Sequence, residues 1–206
     1  MADKVDFKKS MKALYAPPVG RFVEVDVPPL TYLMIDGSGD PNTAASYRSA
    51  LEWLYSVSYP LKFMSKKELG RDYAVMPLEG LWWADDMSTF LSRKKDEWSW
   101  TMMILQPDWI TQAMVDAAIA KACGKLGEPP ASLRLERLEE GLCVQTMHVG
   151  SYDDEGPVLA KLHDEYLPQH GLKETGRHHE IYLGDPRKTA PEKLKTILRQ
   201  PVQRRR

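Results

Sequence analysis

Apolar positions alternate along some stretches of the chain and recur at three- and four-residue spacing along others, and these two periods divide it into strands and helices. RFVEVDV (21–27) alternates and predicts a short strand or extended arm, and Thr31 to Ile35 predicts a strand ending in the Gly-rich turn GSGD. Asp40-Pro41 supplies an N-cap and a first-turn proline, and Ala44, Tyr47, Leu51 and Leu54 form the apolar stripe of a helix running to Pro60. Tyr73 to Trp83 reads as a strand with Val75, Pro77, Glu79, Leu81 and Trp83 on one side and Met76, Leu78, Gly80 and Trp82 on the other. A polar loop crosses SRKKDE (92–97), and the next strand sets Trp98, Trp100, Met102 and Ile104 on one face. The Ala-rich run from Trp109 predicts a helix closed by Gly124 or Gly127, with Pro129-Pro130 as linker.

The second part repeats the order of the first. SLRLERL and CVQTMHV alternate as strands, GSYDDEGP turns the chain, Val158 to Leu167 predicts a helix closed near Gly171, and HHEIYLG is the next strand. A glutamate-bearing strand therefore follows the helix in both halves, MPLEGLWW in one and HHEIYLG in the other. Thr189-Ala190-Pro191-Glu192 has the form of a capping box and predicts a last helix with Leu194, Ile197 and Leu198 on one face. The order predicts an α+β fold with helices on one side of antiparallel sheet: two strand-helix-strand-strand modules, about 29–127 and 131–202, related by a pseudo-twofold axis around a central cleft. Residues 1–28 are read as a lead and arm, and 29–206 as one domain.

Composition narrows the classes. The chain has 206 residues, 43% hydrophobic, enough for a sizeable core, and a formal net charge of -1 with basic residues spread along it. No nucleic-acid footprint results, and the terminal Arg204 to Arg206 read as a solvated end. Cys123 and Cys143 lie far apart and form no CxxC, which argues against a metal ribbon or a disulfide framework. With no signal-like or membrane-length apolar run, the expectation is a cytoplasmic protein that binds neither membrane nor nucleic acid.

The chemistry concentrates around two glutamates. Glu79 stands in an apolar run beside tryptophans, and the alternation turns it into the same space as Trp83 while sending Trp82 to the core. Trp83, Trp98 and Trp100 offer stacking area, and a glutamate in such a wall loses solvation and gains basicity. The solvent-facing strand glutamate is the ordinary alternative, weakened for Glu79 by its neighbours and open for Glu180 beside His178 and His179. His178, His179 and Glu180 lack the ligand spacing of a metal motif, GSGD lacks a phosphate-loop pattern, and no metal or cofactor is expected.

The segments MPLEGLWW, WSWTMMILQPDWIT, HVGSYDDEGP and HHEIYLGDPRKTAPEKLKTILRQPV resemble the gyrase-inhibitor-like (GyrI-like) small-molecule-binding proteins, from about Pro29 to Val202. The resemblance is to the longer stand-alone branch and implies tandem modules around a ligand channel; unlike the regulators of the superfamily, this sequence shows no helix-turn-helix module before the domain, so transcription control in one chain is not expected. It also implies flat aromatic or hydrophobic ligands and, in the hydrolytic members, the opening of cyclopropane-bearing genotoxins by water. Carried over, Glu79 and Glu180 are the candidate bases and water-orienting groups, and Tyr152 or Tyr182 the donor to the developing phenolate. Trp83, Trp98, Trp100, Tyr182, Met102 and Tyr32 are the candidate lining. A non-catalytic binder or sensor and a gyrase-inhibitor-type interaction protein are the alternatives, and a homodimer is left open.

Overall fold

The computed structural model describes residues 4–85 and 94–205. Its elements are α1 (Phe7–Ser10), α2 (Lys12–Tyr15), β1 (Val23–Val27), β2 (Leu30–Ser38), α3 (Ala45–Glu68), β3 (Leu78–Trp83) and β4 (Ser99–Gln106). There follow α4 (Gln112–Leu126), β5 (Arg134–Leu138), β6 (Gly141–Val149) and α5 (Gly156–Ala160), which continues through a π-helical turn (Lys161–Tyr166) into α6 (Leu167–Gln169). β7 (Leu172–Glu174), β8 (His178–Tyr182) and β9 (Lys195–Arg204) complete the chain. The strands form one antiparallel sheet in the order β1-β6-β9-β8-β3-β4-β2-β5, with β7 against the far end of β9. The α+β class and the antiparallel sheet are as the periodicities predict. In place of a cleft between two sheets, β3 pairs with β8 and joins the halves edge to edge.

Register assigns the two faces, because directly paired residues of antiparallel strands project to the same side. Gly80 opposes Glu180 and Met102, and Trp82 opposes His178 and Trp100. These residues, with Tyr182 and Thr196, make the helix face, where α3 brings Tyr47 onto Trp82 and Trp100. Leu162 and Leu167 of the second helical segment pack on Val144 and Val202 of the same face. The β3–β8 seam thus runs between the strands covered by the two helices. The opposite face carries Glu79, together with His179 and its register partner Arg199, and is covered by the N-terminal lead, whose Tyr15 hydroxyl reaches Glu79.

Several predicted boundaries shift for physical reasons. Asp40 does not cap the helix: its carboxylate accepts from the Asn42 amide in a turn, and α3 starts at Ala45 with Ala44 at the cap. The helix also passes through Pro60 to Glu68, held by Trp53, Leu54, Val57 and Leu61, each nearly or fully buried and worth about 1.5–3 kcal/mol. The predicted strand from Tyr73 is regular only from Leu78, after Pro77, and Tyr73 instead bridges Val5 of the lead. Gly127 at φ 84 closes α4.

The predicted C-terminal helix is absent. Pro191–Lys193 make one 3-10 turn, and Lys195–Arg204 form β9, a central strand between β6 and β8. Burial on both faces removes the alternation of Thr196 to Val202, so the helix-like spacing of Leu194, Ile197 and Leu198 misleads. The tail is also no free end up to Arg205: Arg204 bonds Glu24 at 2.6 Å, and Arg205 Nε donates to the Leu172 carbonyl at 2.9 Å. Of the predicted polar loop, Ser92 and Arg93 lie outside the described residues, as do Arg206 and the first residues of the lead. Among the described residues, no helix is long and apolar enough to cross a membrane.

Candidate functional site

On the helix face of the seam, Glu180 Oε2 accepts a hydrogen bond from Tyr182 Oη at 2.7 Å, and that oxygen accepts one from Trp82 Nε1 at 2.9 Å. His178 Nε2 stands 3.4 Å from Glu180 Oε1 without hydrogen-bond geometry. The i, i+2 spacing of a strand places all three β8 side chains on one side. Gly80, the register partner of Glu180, has no side chain to fill the space opposite the carboxylate. A Cβ there would lie 2.9 Å from Trp82 Nε1 and 3.1 Å from Met102 Sδ, so the glycine lets the indole and the thioether close in beneath Glu180.

Aromatic rings surround this carboxylate. Tyr47 meets Trp100 edge-on at 5.3 Å and Trp82 at 6.3 Å, Trp98 meets Trp82 edge-on at 5.9 Å, and Tyr152 meets Tyr182 edge-on at 5.6 Å. Trp100 and Met102 are wholly buried and back the site, whereas Tyr152 is 39% exposed at its edge. Burial, then the Glu180 charge, raises the hydroxyl of Tyr182 far above its ordinary range and that of Tyr47 likewise. Burial with Glu155 and Glu180 pushes Tyr152 up to about 12, so these three phenols stay protonated at neutral pH. Lys95 lies 3.7 Å from Asp153 and beside the Trp98 ring, linking the segment before β4 to the turn before α5.

Glu155, at the start of α5, is a second carboxyl group of the same site. It is 5% exposed; burial first, and the Glu180 charge next, push its pKa up to about 10. Thr196, the register partner of Tyr182, pulls that value back, although its hydroxyl falls short of hydrogen-bond geometry. Burial and the neighbouring charge thus favour the protonated form of Glu155, while Glu180 accepts the Tyr182 hydroxyl.

Glu79 lies elsewhere. Its side chain is fully buried on the opposite face, where Tyr15 Oη donates to Oε1 at 2.8 Å and His179 Nε2 meets Oε2 at 2.9 Å. His179 Nδ1 meets Glu140 at 2.9 Å, and Arg199 bonds Glu140 at 3.3 Å, Gln145 at 3.1 Å and the Leu14 carbonyl at 2.8 Å. With both ring nitrogens facing carboxylates, His179 is an imidazolium donating twice. Burial opposes that charge, but Glu140 and Glu79 outweigh it and lift the pKa to about 8. Burial likewise opposes the Glu140 charge, but His179 and Arg199 bring its pKa down to about 2. Two anions and two cations balance in this layer.

The candidate residues therefore divide into two groups. Glu180, Tyr182, Trp98, Trp100, Met102 and Tyr152 come together on the helix face, while Glu79, Trp83 and Tyr32 share the other. Trp83 is stacked under the Arg177 guanidinium at 3.4 Å, and Tyr32 is wholly buried near Tyr15 and Glu79. The alternation of β3 is as expected, and Trp82, expected in the core, is buried there while its Nε1 also bonds the Tyr182 hydroxyl, but Glu79 is turned from Glu180. Tyr47, Glu155, His178 and Thr196 were not among the candidates. Tyr47 had a signal in the apolar stripe of its helix; Glu155, in the acidic turn SYDDE, had none in periodicity.

This fold and this chemistry define a small-molecule-binding class. A model of the GyrI-like small molecule binding domain matches residues 22–203, and the chain belongs to that family. It is similar to an uncharacterized conserved protein from Listeria innocua, with 40% identity over 97% of this chain and 100% of that one, at a TM-score of 0.88. It is also similar to two structures from the same organism described as hydrolases. One shows 40% identity over 97% of this chain and 100% of that one (TM-score 0.83), the other 38% over 98% and 100% (TM-score 0.85). The C-terminal domain of EcmrR shares the fold at 10% identity over 89% of this chain and 98% of that one (TM-score 0.56). No curated protein matches the chain at a significant level.

Proposed function

We propose that this protein is a cofactor-free hydrolase that opens cyclopropane-bearing, flat aromatic electrophiles by adding water. The observation that carries the reading is the Trp82–Tyr182–Glu180 hydrogen-bond chain, which fixes one carboxylate within an aromatic wall and faces it with the side-chain-free Gly80. The relatives described as hydrolases support it.

In a cyclopropane conjugated to a dienone, water attacks the exposed ring carbon, one carbon–carbon bond breaks, and the electron pair moves to the dienone oxygen as the ring becomes aromatic. Glu180 takes the proton of the attacking water. Tyr182 already donates to Glu180 and acts as a positioning group, leaving Tyr152 to donate to the developing phenolate. Trp82, Trp98 and Tyr47 supply apolar surface for the planar frame. Glu79, bonded to His179 and Tyr15 on the other face, holds the fold there and takes no proton from substrate.

The test is incubation with a duocarmycin-type cyclopropadienone, following ring-opened product by mass spectrometry and binding by tryptophan fluorescence. Glu180→Gln is expected to lose at least about 100-fold in turnover while its Kd stays within a few-fold, since the carboxylate acts chiefly in the transition state. Binding by the wild-type chain with no product above the buffer rate would replace this reading by a binder or sensor of planar compounds.

A further inference from the structure

Buried polar atoms without hydrogen-bonding partners fall mostly on one face of the sheet. Among the described residues Glu155 Oε1, Thr196 Oγ1, Trp100 Nε1 and both ring nitrogens of His178 lie on the helix face, and Tyr32 Oη on the other. Three of these residues adjoin Glu180 or its partner: His178 precedes it on the same side of β8, and Thr196 opposes Tyr182. Glu155 neighbours that same Thr196 and feels the Glu180 charge. An unmade buried hydrogen bond costs about 1–3 kcal/mol, so a cluster of them is uncommon in a part that only holds the fold. On the opposite face Glu79, His179, Glu140 and Arg199 all have partners, and the Tyr32 hydroxyl is the unpartnered atom there among the described residues.

The cyclopropane reaction makes no use of Glu155. Its leaving group is a delocalised phenolate that develops across the ring from the attacked carbon, where a tyrosine hydroxyl suffices. An epoxide differs: its leaving oxygen is one bond from the attacked carbon and departs as an alkoxide, a far stronger base that requires a proton. A carboxylic acid close to the carboxylate that activates water meets that need. We propose that Glu155 and Glu180 form an acid–base pair that hydrates epoxides fused to flat aromatic frames, which extends the hydrolase reading above and rests on it.

The step balances with water as the only co-reactant. Water adds its oxygen to one ring carbon and gives a proton to Glu180; the carbon–oxygen bond at that carbon breaks, and Glu155 protonates the released oxygen. The product is a vicinal diol with no change in oxidation level, and Glu180 returns its proton to Glu155, directly or through solvent. That Glu155 still holds a proton at neutral pH, through burial and the Glu180 charge, fits the acid role.

The purified full-length protein would be given phenanthrene 9,10-oxide in 18O-labelled water, with the cyclopropadienone in parallel, and the labelled dihydrodiol followed by mass spectrometry. Diol formation is expected at least 100-fold above buffer, and lost at least 100-fold in Glu155→Gln and in Glu180→Gln. Circular dichroism would establish that the variants fold, and fluorescence that the epoxide still binds within a few-fold. Glu155→Asp, which keeps an acid on a shorter arm, should recover part of the rate. Opening of the cyclopropadienone with the epoxide untouched would overturn the pair and leave the hydrolase reading standing, and undiminished diol formation by Glu155→Gln would overturn the acid role. If neither compound is opened, the hydrolase reading fails and this inference with it.

Discussion

At the scale of single residues, two glycines and two glutamates decide the arrangement. Gly37 pairs with Trp100 across β2 and β4, and a Cβ on it would lie 2.1 Å from the indole ring. The φ of Gly37 is not in the left-handed region, so the requirement is steric. Gly37→Ala is expected to displace Trp100 and cost about 1–3 kcal/mol, read from urea unfolding together with a shift in tryptophan emission. The glutamates predict opposite phenotypes. Glu79→Gln leaves the His179 charge short of an anion in a dry layer and should lower stability by roughly 2–4 kcal/mol, with turnover changed less than about threefold. Glu180→Gln should do the reverse. Unfolding curves and kcat for both variants check this, and a Glu79 variant that folds stably but is inactive would bring Glu79 back into the chemistry.

At the scale of elements, alternation made the strands legible and told which residues share a side, but not which side meets which layer. In β3 the pairing of Glu79 with Trp83 could be read from the sequence, whereas the face they occupy depends on β3 pairing with β8 and on what covers each side. The lead decides the second point. Its α2 buries Leu14 and Tyr15 over Glu79 and lends the Ala13 and Leu14 carbonyls to Gln145 and Arg199, contacts spanning 132 and 185 residues that no local pattern encodes. β9 failed to read as a strand for the complementary reason, since a central strand buried on both sides has no polar face to reveal its period. The lead is thus a structural layer. Tyr15→Phe removes a hydrogen bond to a buried carboxylate and should cost about 1–3 kcal/mol in denaturant unfolding, with kcat near the wild-type value.

At the scale of the whole molecule, the two faces of one sheet hold opposite kinds of electrostatics, and pH separates them. On the lead face, Glu140 is held at about 2 against an ordinary 4.5, so its contribution is present above pH 4.5 and lost as pH falls through 2. His179 is raised to about 8 from 6.5, so its share is full below pH 6.5 and lost as pH rises through 8, at most about 2 kcal/mol. The two partly describe one ion pair and are not summed. On the helix face, Glu155 is raised from 4.5 to about 10: folding favours its neutral form, an advantage complete below pH 4.5 that drains away as pH climbs toward 10. All three signs put the highest stability between about pH 4.5 and 6.5, below physiological pH. Glu155→Gln removes the helix-face part alone. Its Tm should exceed wild type at pH 8, by the equivalent of about 1–3 kcal/mol, and converge with it near pH 4.5, while the fall due to His179 persists. Thermal unfolding of both proteins from pH 4 to 9 measures this. Parallel curves would mean that Glu155 ionises as freely in the folded chain as in the unfolded one, which is incompatible with a proton held beside Glu180.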